Sequence, residues 1–234
     1  MKKKYVVSLI LLVVVAFLVW LFFRNNLQDK TTPAATNSSQ DNRSNPVDNK
    51  TTVDNPVPLE DSSLNKFGFI DPLSRAAERI TKKTLGQYIT PQNSPVQPEK
   101  FQGYHTGTDF EIFPEEADAA VSVRAVCSGK LLLKEFASGY GGVAVESCDL
   151  EGNPITVIYG HLKLTSIDLK NGSDLKAGDV IGVLGKGYSS ETDGERKHLH
   201  LGFCKGSSVN IRGYVSSVSQ LSGWLDPCVY ICGK

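Results

Sequence analysis

The sequence has no excess of charge of either sign. Its 234 residues include 25 lysine and arginine residues and 25 aspartate and glutamate residues, so the formal net charge is zero. Proteins that bind nucleic acids usually present a basic patch or stripe. The composition therefore gives no indication of a nucleic-acid partner.

The sequence also lacks the motifs of several common enzyme classes. It has no Gly-x-Ser-x-Gly elbow, and Ser189 and Ser190 lie in a polar segment without that context. The segment Gly182–Gly187 resembles a phosphate-binding loop but does not have the spacing Gly-x-x-x-x-Gly-Lys-Ser/Thr. No His-Glu-x-x-His sequence is present, so the glutamate base of helical zinc proteases is missing.

Histidine is scarce, and its distribution is informative. The four histidines lie in three short segments, Gly-Tyr-His105-Thr-Gly-Thr-Asp109, Tyr-Gly-His161-Leu and His198-Leu-His200. Residues two apart on a strand project to the same face, so His198 and His200 can point into one cleft. A catalytic zinc takes three protein ligands and keeps a fourth position open. Asp109 and the histidines can form such a site and leave two histidines for proton transfer or oxyanion stabilisation.

Each segment taken alone is weak evidence, because a His-x-His pair also occurs on the surface of amphipathic strands. The order of the segments resembles the lysostaphin-type (LytM-like) family of zinc metalloendopeptidases, which cut the peptide cross-links of bacterial peptidoglycan. The family pattern runs His-x-Gly-x-Asp, Gly-Tyr-Gly, Tyr-x-His-Leu, a glycine-containing segment ending in Ile-Gly, and His-Leu-His. The resemblance covers about Gly103 to Pro227 and rests on the segments Gly103–Phe110, Ser138–Val143, Tyr159–Leu162, Leu175–Gly182 and Lys197–Gly202.

The resemblance implies a role for each of these residues. His105, Asp109 and His200 would bind one zinc ion (Zn2+) per domain, and His161 and His198 would form a catalytic pair. Zinc polarises a scissile carbonyl and lowers the pKa of a bound water to about 7, which makes that water the nucleophile. His198 would accept the water's proton or stabilise the oxyanion, and His161 would perform the complementary task.

The implied function is that of a zinc metalloendopeptidase hydrolysing peptide cross-links of bacterial peptidoglycan. The alternative is a noncatalytic cell-wall-binding or amidase-activating module, since some members of the family have lost the metal residues. Retention of both the three metal-binding residues and the histidine pair favours the enzyme over the noncatalytic module. The local departure from the family pattern is a charged insert, Gly185–Lys197, where many relatives have a short turn. It affects the expected substrate preference and not the metal site.

The amino terminus predicts where this chemistry takes place. Three consecutive lysines precede the apolar run Tyr5–Phe23. As a helix at about 1.5 Å per residue this run is about 28 Å long, close to the hydrocarbon thickness of a bilayer. A cleavable signal peptide is the alternative, but no small-x-small site follows the run. We expect residues 1–24 to be a single-pass anchor in the cell membrane, with a cytoplasmic amino terminus and an extracytoplasmic catalytic domain.

Composition divides the rest of the chain into three parts. Residues 25–66 contain no aromatic residue and no glycine, and we expect a disordered linker. Residues 67–102 are expected to be an extension of the catalytic domain that packs against it or lines its cleft. A helix is predicted there over Asp71–Ile80, with Asp71 as N-cap and Pro72 at the first helical position. Residues 103–234 are expected to form the zinc metallopeptidase domain.

Short segments beyond His105 alternate apolar and polar residues between turn signals. This pattern predicts an all-β fold, an antiparallel barrel-like β-sandwich, preceded by one transmembrane helix and a disordered linker. Trp224–Pro227 is expected to close its core. The predicted strands are Val121–Cys127, Lys130–Phe136, Val143–Ser147, Ile155–Tyr159, Val180–Leu184 and Leu199–Phe203.

The five cysteines fit an oxidising, extracytoplasmic location. Cys127 and Cys148 flank a glycine-rich hairpin and are candidate partners. Two of Cys204, Cys228 and Cys232 would pair and leave one free, although connectivity is not fixed by sequence. Cys204 as a thiol nucleophile is the alternative to the metal site. We favour a structural role for it, because cysteine is among the most often buried residues.

Overall fold

The computed structural model describes residues 64–232. The predicted membrane anchor, 1–24, and nearly all of the predicted linker, 25–66, lie outside the described residues. Within the described part of the chain, no helix is long and apolar enough to cross a bilayer.

The described chain is built mainly from β-strands. Two short α-helices, α1 (Val218–Leu221) and α2 (Pro227–Ile231), lie near its carboxyl end. Single 3-10 turns occur at Ala76–Arg79, Pro114–Glu116, Leu164–Ser166 and Ser190–Thr192. The strands are β1 (Tyr88–Ile89), β2 (Gly103–His105), β3 (Thr108–Glu111), β4 (Ser122–Arg124), β5 (Gly129–Ala137), β6 (Gly141–Leu150), β7 (Asn153–Leu162), β8 (Asp174–Leu175), β9 (Val180–Val183), β10 (His198–Lys205), β11 (Tyr214–Val215) and β12 (Trp224–Leu225).

A seven-stranded antiparallel sheet dominates the architecture. Its order is β12-β10-β7-β6-β5-β8, and β3 also pairs with β10. Two smaller antiparallel sheets, β1-β2-β11 and β4-β9, complete the described part. Val123 of β4 and Ile181 of β9 belong to the same core cluster as the apolar face of the large sheet. The antiparallel all-β prediction is therefore confirmed. All six predicted strands are present, but β6 and β7 each have 10 residues where five were predicted, and β4 has 3 where seven were predicted.

Strand β10 shows how residue alternation places the functional side chains. Leu199, Leu201 and Phe203 are fully buried in the main core cluster. His198 and His200 alternate with them, so they project from the opposite face of the strand. Burial of the leucines and the phenylalanine fixes the register, because a shift by one residue would move the apolar side chains out of the core.

The extension packs on the main core cluster through Phe69, Leu73 and Ala76. The predicted helix over Asp71–Ile80 is wrong, since only the 3-10 turn Ala76–Arg79 forms. Arg75 has a φ of 55°, in the left-handed region, so no continuous helix can run through it. The Pro72 carbonyl accepts a hydrogen bond from the Arg124 N–H at 2.9 Å, which ties the segment to β4 instead.

Two disulfides are present among the described residues. Cys127 pairs with Cys148, as the sequence suggested, and Cys228 pairs with Cys232. Cys204 is the free, buried cysteine. Trp224 is buried in a second apolar cluster on the other face of the large sheet, with Val143, Val145 and Ile158. Trp224 of the segment expected to close the core thus packs in this second cluster, whereas Leu225 packs against the main core cluster.

Candidate metal centre

The pairing of β10 brings the predicted site residues together. His200 lies opposite Asp109 of β3 on one side and opposite Gly160 of β7 on the other. His105 is the last residue of β2, and the two residues Thr106 and Gly107 lead from it into β3. Residues from three distant parts of the sequence thus meet beside β10, where the β1-β2-β11 sheet adjoins the large sheet through His105.

His105, Asp109 and His200 form a compact triangle of potential ligand atoms. The Nε2 atom of His105 lies 3.0 Å from Nδ1 of His200. The Oδ1 atom of Asp109 lies 3.3 Å from each of these two nitrogens. All three residues are buried. This is the only group of three histidine, aspartate, glutamate or cysteine residues outside the Cys127–Cys148 disulfide region that could hold a metal among residues 64–232.

The triangle fits a zinc ion. With zinc–ligand bonds of about 2.0 Å, tetrahedral ligand atoms are separated by about 3.3 Å, which matches the observed edges. Oδ1 of Asp109 is buried and has no hydrogen-bond donor within the described chain, as expected of a metal ligand. Histidine must be neutral to bind a metal, and burial lowers the pKa of His200 to about 4. The donor set of two imidazoles and one carboxylate is one that zinc accepts.

His161 and His198 lie beside the triangle with a common orientation. Nδ1 of His161 is 3.0 Å from the Tyr140 carbonyl, and Nδ1 of His198 is 2.9 Å from the Arg196 carbonyl. A carbonyl only accepts, so each Nδ1 carries the proton and each neutral ring keeps a lone pair on Nε2. The two ring centroids are 4.3 Å apart. The pair is arranged to accept or donate protons at Nε2.

The backbone at His161 is unusual for a histidine. Its φ is 64°, in the left-handed region. The register of β6 and β7 skips this residue, since Gly142 pairs with Leu162 and Val143 pairs with Gly160. His161 is therefore the extra residue of a β-bulge, and bulges redirect side chains next to functional sites. Such a conformation is retained where the surrounding structure demands it.

Burial affects the protonation of His161 as well. It lowers the pKa of His161 well below its usual range, and the neighbouring His198 and His200 lower it further. The ring is consequently neutral at neutral pH, in the form that accepts a proton.

Glycines in the site motifs allow close packing around the histidines. A Cβ atom on Gly160 would lie 2.4 Å from the ring of Tyr140. A Cβ atom on Gly107 would lie 2.4 Å from the Leu201 carbonyl oxygen. Both positions exclude any larger residue, which explains the glycines next to His161 and between His105 and Asp109 in physical terms.

The site opens into a cleft of about 320 Å³. All five predicted site residues line it. Lys83 and Phe101 of the extension form part of its wall, so the prediction that 67–102 contributes to the cleft is confirmed. Glu195 and Arg196 of the charged insert form another part.

Some contributors to the site were missed in the sequence. Arg196 donates a hydrogen bond to Oδ2 of Asp109 at 2.8 Å. Tyr214 lies against His105, with ring centroids 5.2 Å apart, and its hydroxyl accepts from Lys83 at 2.9 Å. No spacing rule connects these residues to the histidines. The available signal for Arg196 was a charged residue two positions before His198, inside the insert that departs from the family pattern.

Comparison with known proteins gives one family match. Residues 103–211 match the model of peptidase family M23. Among solved structures, LytU is 26% identical with a TM-score of 0.44, covering 65% of this chain and 83% of that chain. The catalytic domain of lysostaphin, an antimicrobial peptidase from Staphylococcus simulans, is 22% identical with a TM-score of 0.45, covering 68% of this chain and 98% of that chain. No curated protein sequence matches significantly.

Proposed function

Because the chain belongs to peptidase family M23, we propose that it is a zinc-dependent endopeptidase that hydrolyses peptide cross-links of bacterial peptidoglycan. The observation that carries the proposal is the buried triangle of His105, Asp109 and His200, with edges of 3.0 to 3.3 Å, beside the histidine pair in one cleft. A noncatalytic module has no physical need to keep both parts.

The chain's own residues have distinct tasks in the proposed reaction. His105, Asp109 and His200 would hold zinc, which when bound polarises a carbonyl and acidifies a water molecule. His161 and His198 both line the cleft, and a neutral ring with its proton on Nδ1 can take a proton from the attacking water at Nε2. The other ring, where it enters the reaction already protonated on Nε2, can donate a hydrogen bond to the oxyanion that develops on the carbonyl and keeps its proton. The proton taken from the water by the first ring then passes to the leaving amine.

Main-chain carbonyls support this division of tasks. The Tyr140 and Arg196 carbonyls hold the two Nδ1 protons, so neither ring can turn to the other tautomer without losing a buried hydrogen bond. Orientation of this kind reduces the entropic cost of reaching the transition state.

The proposal includes a location outside the cytoplasm. The apolar run Tyr5–Phe23 following three lysines supports a single-pass membrane anchor, with residues 25–66 as a tether. The two disulfides support an oxidising compartment. An enzyme held in this way would meet the cell wall as its substrate.

Digestion of purified peptidoglycan tests the proposed reaction. The full chain in detergent is incubated with insoluble peptidoglycan, and new amino termini are identified by mass spectrometry. We expect termini that disappear with a chelator and return with added zinc, and none from His198→Ala. If the zinc-loaded, folded chain releases no new termini from several wall types, the enzyme proposal is wrong. The noncatalytic wall-binding or amidase-activating module would then be the better account.

A further inference from the structure

The charged insert Gly185–Lys197 reaches the metal centre through one side chain. Arg196 is 6% exposed, and its guanidinium contacts Asp109, one of the three residues of the triangle. We infer that Arg196 is a positioning residue, which holds one carboxylate oxygen of Asp109 so that the other alone faces the metal. The inference rests on the proposed zinc-dependent function and assigns a role to a residue outside the ligand and histidine sets.

The two oxygens of Asp109 have different surroundings. Oδ2 accepts a hydrogen bond from Nη2 of Arg196 at 2.8 Å and lies 3.4 Å from Nε2 of His198. Oδ1 has no donor among the described residues and lies 3.3 Å from both ligand nitrogens. A carboxylate free to rotate could offer either oxygen or both to a metal. The contact with Arg196 selects one of these arrangements.

Arg196 is itself held in place by Glu111. Nε lies 3.0 Å from each oxygen of Glu111, and Nη2 lies 2.5 Å from Oε1. Glu111 is two residues from Asp109 on β3, so both carboxylates project from one face of the strand. The guanidinium is planar and offers several donors in fixed directions, which suits it to bridging two carboxylates. It also pairs the charge of Glu111, whose side chain is 12% exposed beside the site.

The position of Arg196 follows from the strand register. His198 pairs with Glu111 and His200 pairs with Asp109 across β10 and β3. Arg196 precedes His198 by two residues, at the end of the insert, so its side chain can return along β3 to both carboxylates. Its main-chain carbonyl also fixes His198, at 2.9 Å from Nδ1. Replacement of the side chain leaves that main-chain contact available and tests the side chain alone.

Two possible roles of Arg196, orienting Asp109 or only adding a positive charge, predict opposite effects of its replacement on zinc binding. Removal of a nearby positive charge, by itself, strengthens the binding of a cation. Removal of a group that orients a ligand typically weakens metal binding by about 10- to 100-fold. The direction of the change therefore separates the two roles. Arg196→Lys keeps the charge but not the planar fork, and so isolates the contribution of geometry.

A matched control is available in Arg79. It is 1% exposed and donates two hydrogen bonds to the carboxylate of Glu116. Its other hydrogen bonds are with Ser74 and the main-chain carbonyl of Glu111, and its guanidinium lies over the Phe113 ring. None of these contacts is with Asp109 or a histidine. Arg79→Met therefore removes a buried arginine–carboxylate pair without touching the metal centre.

The test measures zinc affinity of the full chain by competition with a chelating indicator, for wild type, Arg196→Met, Arg196→Lys and Arg79→Met. We expect a 10- to 100-fold higher Kd in Arg196→Met, a several-fold higher Kd in Arg196→Lys, and an unchanged Kd in Arg79→Met. Thermal unfolding of the zinc-free proteins reports structural damage separately. The visible spectrum of bound Co2+, which depends on ligand geometry, is expected to change in the Arg196 variants and not in Arg79→Met.

The outcomes distinguish the inference from the function on which it rests. Zinc binding by Arg196→Met as tight as or tighter than that of wild type, with an unchanged cobalt spectrum, overturns the positioning role and leaves the peptidase intact. If Arg196→Met does not fold, wild-type affinity in folded Arg196→Lys overturns it equally. A wild-type chain that binds no zinc overturns the proposed function and this inference with it.

Discussion

Replacement of the buried Glu146 by glutamine is expected to make folding stability less dependent on pH. Glu146 is fully buried on β6, where Oε2 accepts a hydrogen bond from the Tyr159 hydroxyl at 2.5 Å. Its Oε1 has no partner in the described chain. Burial raises the pKa of Glu146 to about 8, against the lowering effects of Tyr159 and of the main chain at Val126 and Cys127. The carboxyl is therefore protonated in the folded protein at neutral pH.

The size and sign of the effect follow from the two pKa values. The unfolded chain ionises near the ordinary value of 4.5, whereas the folded chain holds the proton to about 8. The contribution of Glu146 to the free energy of unfolding is fully present below pH 4.5 and is lost progressively as the pH rises to about 8. At about 1.4 kcal/mol per pH unit, the total loss is about 5 kcal/mol. Glutamine has no proton to lose and keeps an amide near Tyr159.

The assay is denaturant unfolding of wild type and Glu146→Gln at several pH values between 4.5 and 8.5. The difference in free energy of unfolding between the two proteins cancels the titration of all other groups. We expect the variant to gain on the wild type by up to about 1.4 kcal/mol per pH unit across this interval. Glu135→Gln, at an exposed position on the neighbouring strand β5, is the matched control for the replacement of a glutamate by glutamine. A difference between wild type and Glu146→Gln that does not vary with pH would show that the folded chain does not hold the Glu146 proton.

The remaining predictions concern the site and the disulfides. His200→Ala should lose zinc and activity together, while His198→Ala should keep zinc and lose activity; equal zinc content in wild type and His200→Ala would refute the ligand assignment. His161→Gly and His161→Ala should both be inactive, but the glycine variant should be more stable by about 1 kcal/mol because the φ of 64° favours glycine, as chemical denaturation would measure. The double variant Cys127→Ala/Cys148→Ala should lose about 3 kcal/mol of unfolding free energy, because the two cysteines are 21 residues apart in sequence. Cys228→Ala/Cys232→Ala should lose less, because these cysteines are only 4 residues apart. Equal losses in the two double variants would contradict the dependence on loop length.

The residues that gather at the site were predictable because two signals agreed. Alternation along Leu199–Phe203 placed His198 and His200 on one face, and the fully buried Leu199, Leu201 and Phe203 show why that register holds. The family pattern added the remaining members, which lie far apart in sequence. Strand positions were accessible to the same alternation argument, because each strand has at least one face against the core.

Features that depend on contacts between distant segments were not predictable in this way. The capping pattern of Asp71 and Pro72 indicated a helix, but the segment forms hydrogen bonds with β4 and turns at Arg75 instead. The charge of Arg196 and its position two residues before His198 did not identify its partners, because these depend on the register that sets Glu111 opposite His198. The buried position of the Glu146 carboxyl, with Oε2 bonded to the Tyr159 hydroxyl of the neighbouring strand, depends on contacts between strands that no local pattern encodes.

Titration of the metal-free chain with zinc, with peptide-bond cleavage followed at each step, measures whether the proposed peptidase depends on zinc. We expect that cleavage of peptidoglycan cross-links is absent without zinc, rises in proportion to added zinc, and reaches a plateau near one equivalent per chain. Cleavage that persists in the metal-free chain, or zinc that binds at one equivalent without producing any cleavage, would contradict the proposal.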